Sequence, residues 1–164
     1  MSALRQDIDP EGLLEFSVVY TDRALNHMSV QFQQVMKDLS FELKSLFQAD
    51  ALASVPGSGT AGMEAVARAL ATDQDAVIIR NGWFSYRWTQ ILEAIGVAKS
   101  SHVFKACLQE GKNGQFVPAD INEVTAYIKE HRPGVVFAPH VETASGMMLS
   151  DDYIRALAEA VHLV

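Results

Sequence analysis

The chain has 164 residues, 49% of them hydrophobic and 20% charged, with a formal net charge of -7. That length allows one domain with a buried core, and the composition lies far from that of disordered chains. The acidic balance and the absence of a local basic patch exclude a nucleic-acid or anionic-membrane surface.

The opening segment Met1 to Pro10 is polar, with no apolar signal core, and no apolar run is long enough to span a bilayer. A single cysteine, Cys107, rules out an internal disulfide and fits a reducing compartment, with the cytoplasm as default. From Ser29, an N-cap residue type, the apolar residues Phe32, Val35, Met36, Leu39, Leu43, Leu46 and Phe47 recur at three and four residue steps, which predicts one long amphipathic helix. Short β-branched runs then alternate with helical periods. Val77 to Ile79 reads as a strand. Trp88, Ile91, Leu92 and Ile95 read as a helix closed by Gly96, and His102 to Phe104 as the next strand. Gln109 to Gln115, rich in Gly, Lys and Asn, reads as a surface loop. Asp120 caps a helix carrying Ile121, Val124 and Ile128 that stops at Pro133, and Val135 to Ala138 is expected to be a strand buried on both faces. A last helix runs from about Ser150 through Ile154, Leu157, Ala158 and Val161. Strands separated by helices of this length imply right-handed crossovers, so the predicted class is α/β, a mainly parallel sheet with helices on both faces.

Pro56-Gly57-Ser58-Gly59-Thr60 runs directly into Met63 to Leu70, a stretch of high helix propensity. A glycine loop that opens a helix exposes unpaired N–H groups at the positive end of the helix dipole, and Ser58 and Thr60 add hydroxyls, which suits a phosphate. The same residues also suit a turn that merely caps its own helix. Gly57, Gly59 and Gly62 match the dinucleotide fingerprint G-x-G-x-x-G, but only Ala53 to Val55 precede them as a strand candidate. The acidic ribose partner is replaced by Arg80-Asn81, which suits at most an NADP reader. His27, His102, His131, His140 and His162 lack ligand spacing, so no metal site is expected.

Three segments, Gly57 to Ala65, Asn81 to Trp88 and His140 to Met147, contain G-S-G-T-x-x-M-E-A, N-G-x-F and H-x-E-T-x-S-G in that order. In this set the chain resembles the class V aminotransferases that depend on pyridoxal 5′-phosphate (PLP), near the alanine–glyoxylate, serine–pyruvate and 2-aminoethylphosphonate–pyruvate enzymes. The resemblance runs from about Val55 to the end. It implies the aspartate aminotransferase fold type I, with residues 1–50 an N-terminal segment and long helix, and residues 51–164 part of a truncated, PLP-binding large domain.

By the same resemblance, Ser58, Gly59 and Thr60 hold the cofactor phosphate and Phe84, with Trp83 as second choice, stacks on the pyridine ring. Thr143 bonds the phenolic oxygen of that ring. Glu142 is a candidate to anchor the loop through backbone N–H groups; His140 stays unassigned. The lysine that binds the cofactor covalently, the carboxylate that keeps its ring nitrogen protonated and the substrate-gripping arginine are all implied downstream. Lys37, Lys44, Lys99, Lys105, Lys112 and Lys129 match none of these positions, so no catalytic residue is expected in this chain. Where relatives carry Pro-Gly-Pro near the start, this chain has Tyr20 to His27, and Arg23 there is a candidate anion contact or a surface residue. The implied function of the intact protein is transfer of an amino group between a small amino acid and a 2-oxo acid, by a homodimer. A PLP lyase or desulfurase of the same fold, an NADP-binding domain and a non-catalytic interaction module remain as alternatives.

Overall fold

A computed structural model describes residues 27–110 and 114–164; Arg23 and the centre of the Gln109 to Gln115 loop lie outside the described residues. The backbone divides into two units, Met1–Ser54 and Val55–Val164. In the first, helix α1 (Val30–Phe47) begins where the sequence places it, with the Ser29 hydroxyl accepting from the Phe32 N–H at 3.1 Å. It ends at Gln48, which adopts the left-handed conformation with φ 49°.

The second unit runs α2 (Gly59–Leu70), β1 (Asp75–Arg80), α3 (Trp83–Ile95), β2 (Ser100–Lys105), β3 (Cys107–Leu108), β4 (Phe116–Val117), α4 (Ile121–His131), β5 (Val135–Phe137), β6 (Val141–Glu142), β7 (Met147–Met148) and α5 (Asp151–His162). A parallel three-stranded sheet has the order β2-β1-β5, with Ile78 level with Val103 on one side and Phe137 on the other. Alternation along β1 divides the core. Ala76 and Ile78 pack with Ala67 and Ala71 of α2 and Ile91 and Leu92 of α3, whereas Val77 and Ile79 pack with Val124 and Ile128 of α4 and Leu157 and Ala160 of α5. Helices therefore cover both faces, as predicted. Each fully buried isoleucine of β1 contributes about 1.5–3 kcal/mol from its removal from water. Among the described residues no helix is long and apolar enough to cross a membrane.

Two details differ from the sequence reading. The strand buried along its length is β1, because among the described residues it alone is hydrogen-bonded to a strand on each side; β5 pairs there only with β1, ends at Phe137, and leaves Val135 and Val136 half-buried. Helix α3 starts at Trp83, five residues ahead of Trp88, because its first turn is stabilised by a distant side chain rather than by apolar periodicity. Two short strands flank the Gln109 to Gln115 segment and form a small antiparallel ribbon, with Cys107 level with Val117. In the last helix Leu157 is buried against α4, while Val161 is exposed.

Candidate active site

Parallel strands place ligand-facing groups at their carboxyl ends. β1 and β5 are neighbours, so the loops that leave them, Asn81-Gly82 into α3 and Ala138 to His140 into β6, emerge side by side. A short turn joins the C-terminus of α2 to the start of β1, which puts the N-terminus of α2 at the same end of the sheet. A hydrogen bond closes the arrangement, from Nη1 of Arg87 on α3 to Oγ1 of Thr60 in the first turn of α2 at 2.9 Å.

The start of α3 is filled from within the protein. Glu142 is fully buried, and its Oε1 accepts from the Phe84 N–H at 3.0 Å and the Ala144 N–H at 3.3 Å. Its Oε2 accepts from the Ser85 N–H at 2.7 Å and the Ser85 hydroxyl at 2.6 Å. The same Ser85 oxygen accepts from the N–H groups of Asn81 at 2.8 Å and Gly82 at 3.0 Å. Burial pushes the Glu142 carboxyl up, but the Ser85 hydroxyl and the Ser85, Phe84 and Ala144 N–H groups outweigh it, and the net shift is downward. Glu142 is thus an anion held by backbone N–H groups and a helix dipole. Gly82 is required for this approach, since a Cβ there would lie 2.6 Å from Cγ of Glu142.

The start of α2 is open. Ser58 occupies the cap position, yet its side chain makes no capping hydrogen bond. The first intrahelical bond runs from Gly62 N–H to the Ser58 carbonyl, so the N–H groups of Gly59, Thr60 and Ala61 have no acceptor among the described residues. A Cβ at Gly59 would meet no heavy atom within 4 Å. Thr60 accepts from Arg87 and so keeps its own O–H to donate. Arg87 has no carboxylate partner among the described residues, and its Nε is buried without an acceptor. Three N–H groups, two hydroxyls and an uncompensated guanidinium converge here, the chemistry of an oxyanion site. Gly57 makes the loop possible, because its φ of 147° disfavours any side chain and a Cβ would meet that of Ala61 at 2.9 Å.

The structure brings the expected residues together through α3. Phe84 lies in its first turn, 50% exposed, with Trp83 beside it at 57%. Thr143 is exposed in the turn between β6 and β7, directly after Glu142. Glu142 therefore links Phe84 to the Thr143 turn, and Arg87 links the same helix to the Ser58 to Thr60 loop. His140 is exposed, its backbone carbonyl accepting from Leu149 N–H. Sequence reasoning missed Ser85 and Arg87. Their place inside the Asn81 to Trp88 block was the available signal, but their partners lie 57 and 27 residues away. Among the described residues no group of three or more His, Cys, Asp or Glu is placed to hold a metal ion. No strand leads into the glycine loop, as Ala53 to Val55 are not in a strand, so the first strand of a dinucleotide-binding unit is missing.

An open helix N-terminus, an aromatic on the next helix and a threonine turn lie at the carboxyl edge of the parallel sheet. A solved ureidoglycine–glyoxylate aminotransferase from Bacillus subtilis superposes with a TM-score of 0.59 at 26% identity, covering 80% of this chain and 33% of that one. The architecture is that of the PLP-dependent aminotransferases. Within that class the sequence is similar to an L-aspartate–glyoxylate aminotransferase from Paracoccus denitrificans, 32% identical over 107 residues, which is 64% of this chain. The resemblance to class V aminotransferases is thus found both in sequence and in fold. The chain spans 25% of the length of that curated relative. No family model matches the chain.

Proposed function

We propose that the intact protein is a PLP-dependent aminotransferase that moves an amino group between a small amino acid and a 2-oxo acid, and that this chain supplies part of its cofactor site. The observation that carries the reading is the anion cradle at the start of α2, built from the N–H groups of Gly59, Thr60 and Ala61, which have no acceptor among the described residues, with Ser58, Thr60 and Arg87 around it. A phosphate ester fits this donor set. When bound, PLP supplies the electron sink for chemistry at the amino-acid α-carbon. Ser58, Gly59 and Thr60 bind its phosphate, Phe84 offers an apolar face to its ring, and Thr143 donates to the ring oxygen. Glyoxylate is the acceptor to try first, because it stands in the names of both similar enzymes. A cytoplasmic homodimer is the assembly we propose.

No lysine of this chain matches the position that would hold the cofactor, so this polypeptide by itself is proposed to be inactive in amino transfer. The test uses the full-length protein. Titration with PLP should give a visible absorbance band, and replacing both Ser58 and Thr60 by alanine should weaken binding by at least about tenfold, the value of one strong hydrogen bond or more. Unchanged affinity in the double variant would remove Ser58 to Thr60 from the site.

A further inference from the structure

We propose that Glu142 is a positioning residue that locks the first turn of α3 and the Thr143 turn into one unit, so that Phe84 and Thr143 address the same ligand ring in a fixed relation. The proposal rests on the reading of the site as a PLP site and adds the element that sets its geometry.

Three observations carry it. The first is the division of labour within one carboxylate. Oε1 is shared between the N–H groups of Phe84, 58 residues from Glu142 in the chain, and Ala144, two residues from it, and Oε2 takes both donors of Ser85. A shift of either segment breaks bonds to the other.

The second is the absence of a local alternative. Helices usually fill their first N–H groups with Ser, Thr, Asp or Asn at the N-cap. Here the N-cap is Gly82, and the space its missing side chain leaves is occupied by Cγ and Cδ of Glu142. The cap is imported from β6, the strand that ends directly before the Thr143 turn, which ties the two segments where a local cap would have left them independent.

The third is the manner in which the charge is held. No Lys, Arg or His lies in ion-pair range of Glu142 among the described residues; its partners are N–H groups fixed in backbone and one hydroxyl. Such partners define direction and distance more tightly than a long flexible cation. A buried charge is a weak source of net stability, and specifying one arrangement is its better-attested use.

The experiment compares full-length wild-type protein with Glu142→Gln, Ser85→Ala and Leu157→Ala, measuring PLP affinity by absorbance titration and the visible circular dichroism of bound PLP, which reports how its ring is seated. The amide of Glu142→Gln turns an NH2 group toward N–H donors, and Ser85→Ala removes the shortest bond to the carboxylate. Both variants should weaken PLP by about tenfold and change the sign or amplitude of the visible band. Leu157→Ala, which destabilises the opposite face of the sheet, should lower the melting temperature while leaving affinity and band unchanged.

Wild-type affinity and band in a folded Glu142→Gln would overturn the proposal while leaving the PLP reading intact. If that variant does not fold, Ser85→Ala decides in the same way. A matching change in Leu157→Ala would assign the effect to general stability and also overturn it. Wild-type protein that binds no PLP would remove the PLP reading and this proposal with it.

Discussion

At the scale of single residues, Glu142 makes stability depend on pH in a direction that can be worked out. Its carboxyl is lowered in the folded protein, so the stabilisation it gives is fully present above the unfolded-state value of about 4.3 and is lost as pH falls through the lower folded value. Denaturant unfolding should show wild type more stable than Glu142→Gln by a constant margin from pH 7 to about pH 5, with the margin shrinking below that. A margin that persists or widens at pH 3 would contradict the assignment.

Tyr153 offers the opposite case. Its hydroxyl is buried without a partner among the described residues, and burial followed by the nearby Asp120 charge pushes it up to about 12. Removing an unsatisfied polar atom relieves a desolvation penalty, so Tyr153→Phe should leave the melting temperature unchanged or raise stability by about 1 kcal/mol. A clear loss would reveal a hydrogen bond that the geometry does not show. Ser58, Thr60, Phe84 and Thr143 stood in recognisable sequence blocks, which is what made them candidates for the proposed site. It suggested Glu142 as an anchor but not its target, because nothing local links a residue to N–H groups 57 and 58 positions earlier.

At the scale of elements, legibility followed the range of the forces. Caps act over three residues, so Ser29, Asp120 and Ser150, whose side chains accept from Phe32, Asn122 and Tyr153, could be read directly or nearly so. Gly96 likewise closes α3 in the left-handed conformation that favours glycine. The true start of α3 could not be read, because the Phe84 and Ser85 N–H groups are held by Glu142 rather than by a side chain at the cap position, which is Gly82. The two-residue strands were equally hidden: β3–β4 and β6–β7 are too short for alternation to show.

The dependence of α3 on a distant cap makes Gly82 a sharp probe. A methyl group there would collide with Cγ and Cδ of a side chain that is fully buried and bonded at both oxygens. Gly82→Ala should therefore destabilise by about 1–3 kcal/mol, as overpacking does, and raise hydrogen exchange at the Phe84 and Ser85 amides. Asp120→Ala removes only the cap to Asn122 on α4 and should lower stability by about 1 kcal/mol without loosening α3. Equal loosening of α3 in both variants would mean that the helix does not depend on Glu142.

At the scale of the whole molecule, the alternation of strand and helix was enough to predict a parallel sheet covered on both faces, but not which strand would be central. Val77 to Ile79 and Val135 to Phe137 are both short β-branched runs, and only pairing distinguishes them. β1 is bonded on both sides and buried from Ala76 to Ile79, while β5 is bonded to β1 alone among the described residues.

The far edge of β5 therefore presents unpaired backbone groups next to half-buried Val135 and Val136, the kind of edge that recruits another chain. Helix α1 adds a second adhesive surface, for none of its residues is buried and Val35, Leu39, Phe41, Leu46 and Phe47 are exposed. The 164-residue polypeptide, expressed by itself, should accordingly self-associate, with sedimentation velocity showing species that grow with concentration and an apolar dye binding to them. The two surfaces can be separated with Phe41→Lys, which charges the α1 face at a 71% exposed position without touching the sheet. If α1 drives association, this substitution should shift the population toward monomer; if the β5 edge drives it, the distribution should stay as it is. A wild-type polypeptide that sediments as a monomer at every concentration, melts cooperatively and binds no dye would show that neither surface is adhesive.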